Sequence, residues 1–113
     1  MPVTVCSFIK VTNSGGKFIV LRDPDNDDNG IVVLSDFMRD FQHRDILSRW
    51  REANKTTPEK SGLRVAGGGW WKLENALLVL YGQSAAYGRF DPQWLRQHIQ
   101  PGSVLTESAI DVR

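Results

Sequence analysis

His43 is the residue whose type and position are best suited to chemistry at neutral pH. It lies where a helical spacing of apolar residues begins, and a helix start offers unpaired N–H groups and partial positive charge to an anion. A histidine beside a bound anion could act as a base in phosphate chemistry. The residues alone favour the simpler interpretation, a solvated histidine at a helix end. His98, the other histidine, falls on or beside a later apolar stripe, where a packing or surface role is expected.

A second candidate site is the small-residue segment 82–88, which directly follows an apolar strand. Small side chains let backbone N–H groups approach a ligand, and such turns form nests that bind anions. Ligands of open α/β sheets also bind beyond strand ends. A tight connection kept small for packing explains the same residues equally well. The sequence has neither a glycine-lysine-serine/threonine triplet nor a spaced-glycine dinucleotide fingerprint, so we expect no nucleotide cofactor.

Metal ligands are a third possibility. Asp25 to Gly30, with Asp36 at the position of a last ligand, has oxygen-bearing residues spaced as in a calcium loop. An ordinary solvated turn is the favoured interpretation, because a strand-like segment precedes it and the last ligand is Asp rather than Glu. One cysteine, Cys6, and two distant histidines cannot form a zinc site. We therefore expect no metal, with calcium as a distant alternative.

The elements that must position these residues follow from hydrophobic periodicity. Helices are predicted near 43–54 and over about 92–99. Strands are predicted over 3–11, 17–22, 31–34, 63–66, 70–73, 76–81 and 104–112. Residues 23–30 are predicted as a loop, and the triple glycine 67–69 can interrupt strand pairing. The adjacent Trp70 and Trp71 should lie on opposite faces of their strand. The expected fold is a single α/β domain over 1–113, with one mixed sheet of about six strands flanked by two helices.

Composition excludes several classes of protein. The 113 residues, 41% hydrophobic, fit one core that needs no metal or disulfide for stability. A formal charge of +1 gives no field that would attract nucleic acid or an anionic membrane. The longest apolar run, Ala76 to Tyr81, is too short to span a bilayer. Together with the single cysteine, these features predict a cytoplasmic protein without nucleic-acid or membrane partners. The expected oligomeric state is a monomer.

Two motifs together resemble a known family. Residues 66–69 (AGGG), a hairpin, and then residues 79–88 (VLYGQSAAYG) resemble the paired hallmark of the Janus/Ocnus family, which includes the protein histidine phosphatases. Residues 17–22 resemble the family's early lysine-bearing strand, and residues 41–46 resemble the segment that carries its catalytic histidine. The resemblance covers roughly residues 5–108, with length differences in the loops. It implies a mixed sheet with two helices and a phosphate site.

The resemblance also implies roles for individual residues. His43 would activate water as general base, or otherwise transfer the proton, and Lys17 would favour an anionic substrate. Backbone N–H groups around His43, Arg44 and Ser84, Ala85 and Ala86 would hold phosphate oxygens. The implied activity is a metal-independent phosphohistidine phosphatase, acting on a phosphorylated protein or a small phosphoramidate. The alternative is a non-catalytic phosphate- or phosphopeptide-binding module of the same fold.

One position departs from the family pattern. Trp70 stands where the phosphatases place an arginine after the three glycines, and an indole cannot neutralise a phosphate. Lys72 is two residues further on and shares a strand face with Trp70, so it is a candidate phosphate-binding residue. Arg89, which follows the serine loop, is the other residue that could supply the charge. This departure divides the catalytic interpretation from the binding one.

Overall fold

The computed structural model describes residues 4–6, 15–36, 42–56, 62–74, 77–98 and 109–113. Its strands are β1 (Thr4–Cys6), β2 (Gly15–Asp23), β3 (Asn26–Asp36), β4 (Arg64–Glu74), β5 (Leu77–Tyr81) and β6 (Ala109–Val112). Its helices are α1 (His43–Ala53) and α2 (Pro92–His98). Both predicted helices are confirmed within a residue. Residues 3, 7–11, 76, 99 and 104–108 of the predicted elements lie outside the described residues.

The strands form one mixed sheet in the order β1-β3-β2-β4-β5-β6. The four central strands pair with one another in antiparallel orientation, in the order β3, β2, β4 and β5. The two edge strands are parallel to their neighbours, β1 to β3 and β6 to β5. Each of β2 to β6 contains four residues or more, and β1 is a three-residue edge strand. The predicted α/β class, with one mixed sheet and two helices, is confirmed.

Strand alternation divides the core into two clusters, one on each face of the sheet. Ile19 and Leu21 of β2 pack with the apolar stripe of α1, represented by Ile46 and Trp50. The alternate residues of β2 pack on the opposite face with α2, in a cluster that includes Phe18, Val20, Trp71, Phe90, Trp94 and Leu95. Because successive side chains of a strand point to opposite faces, each helix covers one face. None of the helices in the described segments is long and apolar enough to cross a membrane.

The triple glycine lies inside a strand rather than between two strands. β4 continues through Gly67, Gly68 and Gly69, so the prediction of two separate strands here was wrong. The ladder between β2 and β4 changes register between Ile19 and Leu21, and Gly67 has φ of 121°. A Cβ on Gly68 would lie 2.6 Å from the carbonyl oxygen of Phe18. The glycines therefore allow a bulge and a close approach of backbones within one continuous strand.

Trp70 and Trp71 confirm the expected division of the faces of β4. Trp71 is fully buried in the cluster under α2, and its Nε1–H donates to the carbonyl oxygen of Ser35 at 2.7 Å. Trp70 is half-buried on the other side of the strand. One tryptophan therefore belongs to the core, and the other is left at the edge of the α1 face.

The acidic segment predicted as a loop over 23–30 is mostly strand. The turn contains only Pro24 and Asp25, and β3 begins at Asn26. The N–H of Asp25 donates to Oδ1 of Asp23 at 2.9 Å, which is the local turn that aspartate favours. The connection between β2 and β3 is therefore a tight hairpin.

This hairpin removes the geometry that the calcium alternative needs. Gly30 pairs with Arg22 and Asp36 pairs with Gly16 in one ladder, so the Cα atoms of Gly30 and Asp36 are about 20 Å apart at roughly 3.3 Å per residue. Asp25 lies in the turn at the Gly30 end of this hairpin, and the backbone of Asp36 is therefore too far from Asp25 for the two residues to bind one cation. Within the described residues, no group of three or more His, Cys, Asp or Glu side chains could hold a metal ion.

Candidate functional site

A pocket of about 390 Å³ lies at the N-terminal end of α1. It is bounded by β2, the start of α1, β4 and the loop that follows β5. It brings together six of the residues singled out from the sequence, Lys17, His43, Arg44, Trp70, Ala85 and Ala86, and adds Gln42 and Gln83. Most of the predicted site residues therefore meet in one place, although they lie up to 69 positions apart in the chain.

His43 is buried, with 6% of its surface exposed, so the interpretation as a solvated histidine was wrong. Its Nε2 lies 2.7 Å from the carbonyl oxygen of Gly69. Because a carbonyl oxygen only accepts, Nε2 must carry the hydrogen and donate it. In the neutral ring the basic lone pair is then on Nδ1, so this bond fixes the tautomer.

The surroundings of His43 keep its ring neutral. Burial lowers its pKa below the usual 6.5 because the charged ring loses its hydration. The hydrogen bond to Gly69 opposes this by raising the pKa, and the positive charge of Lys17 lowers it further. At neutral pH His43 is therefore an unprotonated base whose Nε2–H is already committed.

Lys17 and Trp70 form the wall next to His43. They are directly opposite each other on β2 and β4, and Nζ of Lys17 lies over the indole at 5.3 Å from its centroid, within the range of a cation–π contact. The His43 and Trp70 rings are perpendicular, with centroids 6.2 Å apart. A Cβ on Gly82 would lie 2.8 Å from Cδ1 of Trp70. The indole is thus confined between a lysine and a backbone.

The start of α1 supplies hydrogen-bond donors to the same pocket. The Gln42 N–H donates to Oδ2 of Asp45 at 3.2 Å, and the Asp45 N–H donates to the Gln42 carbonyl oxygen at 3.1 Å. His43 and Arg44 lie between Gln42 and Asp45 in the first turn of α1. Backbone N–H groups in the first turn of a helix have no acceptor within the helix. Within the described part of the chain, no group accepts from the Arg44 N–H. This N–H can therefore serve an anion.

The serine loop has a different internal arrangement from the predicted one. Ser84 is buried and does not line the pocket. Its Oγ accepts from the N–H groups of Ala86 at 3.2 Å and Tyr87 at 3.1 Å, and its own N–H donates to the Gly88 carbonyl oxygen. Of the three predicted donors, only the Ala85 N–H has no acceptor among the described residues. Ser84 therefore shapes the loop, and the phosphate contacts expected of Ser84 and Ala86 stay predictions.

Lys72 and Arg89, the residues expected to supply the charge that Trp70 lacks, have partners elsewhere. Neither lines the pocket. Nζ of Lys72 pairs with Glu74 at 3.1 Å, and the Arg89 guanidinium donates to the main-chain oxygens of Gly82 at 3.4 Å and Arg113 at 2.8 Å. The structure gives the Lys72 ammonium a carboxylate partner outside the pocket, and phosphate binding by Lys72 stays a prediction.

Sequence reasoning missed Gln42 and Gln83 in the pocket lining. Both are immediate neighbours of predicted site residues, and that adjacency was the available signal. His98 has the packing role that its position predicted, since its Nδ1–H donates to the Trp94 carbonyl oxygen at 2.8 Å and the two rings are 5.0 Å apart. It lies on the other helix and contributes nothing to the pocket.

No protein-family model and no curated protein matches this chain. The resemblance to the Janus/Ocnus family therefore remains a prediction from motifs. Any functional conclusion must come from the geometry of the pocket itself.

Proposed function

We propose that this protein is a metal-independent phosphohistidine phosphatase that hydrolyses phosphoramidate bonds and uses His43 for proton transfer. The observation that carries the proposal is the buried His43 ring, whose Nε2–H is held by the Gly69 carbonyl oxygen and whose basic Nδ1 is left for the reaction. The proposed substrate is a phosphorylated protein or a small phosphoramidate. The proposal includes a Janus-type fold with a six-stranded sheet, a monomeric state and a cytoplasmic location.

The pocket residues account for each part of the reaction. The phosphoryl group would be held by the N–H groups of Arg44 and Ala85 and by the ammonium of Lys17. Water attacks phosphorus, its oxygen forms the new P–O bond, and Nδ1 of His43 takes the proton. The electron pair of the P–N bond leaves with the nitrogen, which takes a proton from solvent, and His43 returns its own proton to solvent. Positioning and charge stabilisation supply most of the catalysis in phosphoryl transfer.

A non-catalytic phosphate- or phosphopeptide-binding module is the second candidate. The observation that favours it is Trp70, because the indole occupies a wall of the pocket where a cation would neutralise the charge that develops in the transition state. Lys17 and Arg44 are the cationic residues of the described lining. Two cations and a helix start are enough to bind a phosphate without hydrolysing it.

Phosphate release from phosphoramidate and from N-phosphoimidazole, with a chelator present, separates the two candidates. The wild-type protein should hydrolyse both, and His43→Gln should lower turnover at least a hundredfold, the usual contribution of a general base. Arg51→Ala is the matched control, since Arg51 is exposed on the same helix and does not line the pocket. Circular dichroism checks that each variant is folded. Release no faster than in buffer would favour the binding module, and full activity in His43→Gln would remove His43 from the mechanism.

A further inference from the structure

Resting on the proposed function, we infer that Trp70 makes the pocket select phosphoryl compounds in which the group attached to phosphorus is a flat aromatic ring. An aliphatic amine at the same place would be a poorer ligand and substrate. Trp70 is thus a specificity-determining residue, and phosphohistidine, whose leaving group is an imidazole, is preferred over phospholysine.

The first support is the composition of the lining. Trp70 is half-buried and presents an indole to the pocket. Ala85 and Ala86 contribute only methyl groups, and the other residues of the described lining are polar or charged. The indole is therefore the large apolar surface against which the non-phosphate part of a ligand can pack.

The second support is that the indole is held in place before a ligand binds. Trp70 is on a central strand, Lys17 lies over its ring, and the backbone of Gly82 abuts its Cδ1. A side chain that is already confined loses little conformational entropy when a ligand packs on it. Little of the free energy of the contact with an aromatic ligand is therefore offset by ordering of the Trp70 side chain, and most of it strengthens binding.

The third support is the distance between the base and the indole. The His43 and Trp70 centroids are 6.2 Å apart, and aromatic rings interact favourably at separations of 4.5–7 Å. The base and the indole are therefore neighbours in one pocket wall, so a phosphorus atom held beside His43 is also beside Trp70, and a planar ring bonded to it can reach the indole. Such a contact changes affinity by about threefold to tenfold beyond the effect of the buried area alone.

Hydrolysis measures the selectivity directly. The ratio of kcat/KM for N-phosphoimidazole to that for phospholysine is compared in the wild type, Trp70→Phe and Trp70→Leu. The ratio should fall threefold to tenfold in Trp70→Leu and by less in Trp70→Phe, which keeps an aromatic ring. Trp94→Phe, a change to an indole on the opposite face of the sheet, should leave the ratio unchanged. An equal loss for both substrates in the Trp70 variants, or a fall in the ratio in Trp94→Phe, would overturn the inference.

Binding tests the same residue independently of catalysis. Phenylphosphonate and propylphosphonate carry the same anion and cannot be hydrolysed, and their affinities are measured by titration of backbone amide resonances. The wild type should bind phenylphosphonate threefold to tenfold more tightly, and Trp70→Leu should abolish that preference. If hydrolysis is absent but this preference holds, the phosphatase proposal fails and the specificity of Trp70 stands. Equal affinities in the wild type, or no binding of either compound, would overturn the inference.

Discussion

Replacing His43 with alanine should destabilise the protein as well as inactivate it. The ring is 6% exposed, and its Nε2–H supplies a hydrogen bond of 2.7 Å to the carbonyl oxygen of Gly69. The substitution removes that donor from a buried glycine and leaves space beside the strand. The sequence had suggested that this residue lies outside the core, so the expected loss of stability is itself a consequence of the structure.

The size of the loss follows from these contacts. A buried polar group left without its partner costs about 1–3 kcal/mol, and loss of the packed ring adds to this, so we expect His43→Ala to lower the free energy of unfolding by at least about 2 kcal/mol at pH 7.5. The folded-state pKa of His43 lies below its unfolded value of 6.5. The stability that the neutral His43 ring contributes to the wild type is therefore complete above pH 6.5 and is lost as pH falls through the folded pKa. The stability of the His43→Ala variant does not depend on this titration. The difference in free energy of unfolding between the wild type and the variant therefore becomes smaller as the pH is lowered.

Urea denaturation at pH 7.5 and pH 5.5 measures both effects. Arg51→Ala, which changes an exposed residue of the same helix, is the control and should unfold with the wild type at both values. A difference between the wild type and His43→Ala that is the same at pH 5.5 as at pH 7.5 would refute the placement of a neutral buried imidazole. A variant as stable as the wild type would refute its hydrogen bond to Gly69.

Four further predictions concern the pocket wall and the loop. Trp70→Arg should raise phosphate affinity or turnover at least tenfold, because charge-assisted hydrogen bonds contribute roughly 1.5–3 kcal/mol each. Calorimetric titration with phosphate and a phosphoramidate hydrolysis assay check this, and an unchanged affinity together with an unchanged turnover contradicts it. Lys72→Ala should alter phosphate affinity less than twofold, since its ammonium pairs with a carboxylate; a tenfold loss would return it to the site. Lys17→Gln should raise the pKa of His43 by removing a positive charge, as followed by NMR, whereas Lys17→Arg should not. Ser84→Ala should lower the free energy of unfolding by about 1–3 kcal/mol, because the Ser84 Oγ accepts hydrogen bonds from two loop N–H groups. Urea denaturation measures this loss, and a midpoint equal to that of the wild type would contradict it.

The elements with strong local signals could be predicted from the sequence. The apolar stripe of α1 predicts a helix over 43–54, and the structure has His43–Ala53. At the start of α2, Asp91 precedes a proline at the first helical position, a pattern typical of a capped helix start, and its Oδ1 accepts from the Trp94 N–H at 3.0 Å. Such signals are encoded within a few residues, so no tertiary information is needed to find them.

The features that sequence reasoning missed depend on contacts between distant segments. Glycines break a strand or allow close packing, and only the neighbouring backbones of Phe18 and Tyr81 show that Gly68 and Gly69 do the latter. The burial of His43 depends on an acceptor, Gly69, that is 26 residues away. Periodicity places a residue on a face, but it does not reveal which backbone oxygen that residue will meet.

The most direct test of the site is an NMR titration of the His43 side chain from pH 4 to pH 8, with and without phosphate. Without phosphate, its pKa should lie below 6.5, and the neutral ring should carry its hydrogen on Nε2. Bound phosphate should raise that pKa, because an adjacent anion favours the charged imidazolium. A pKa at or above 6.5 without phosphate, a neutral ring protonated on Nδ1, or a pKa that phosphate does not change would contradict a neutral base at an anion-binding site.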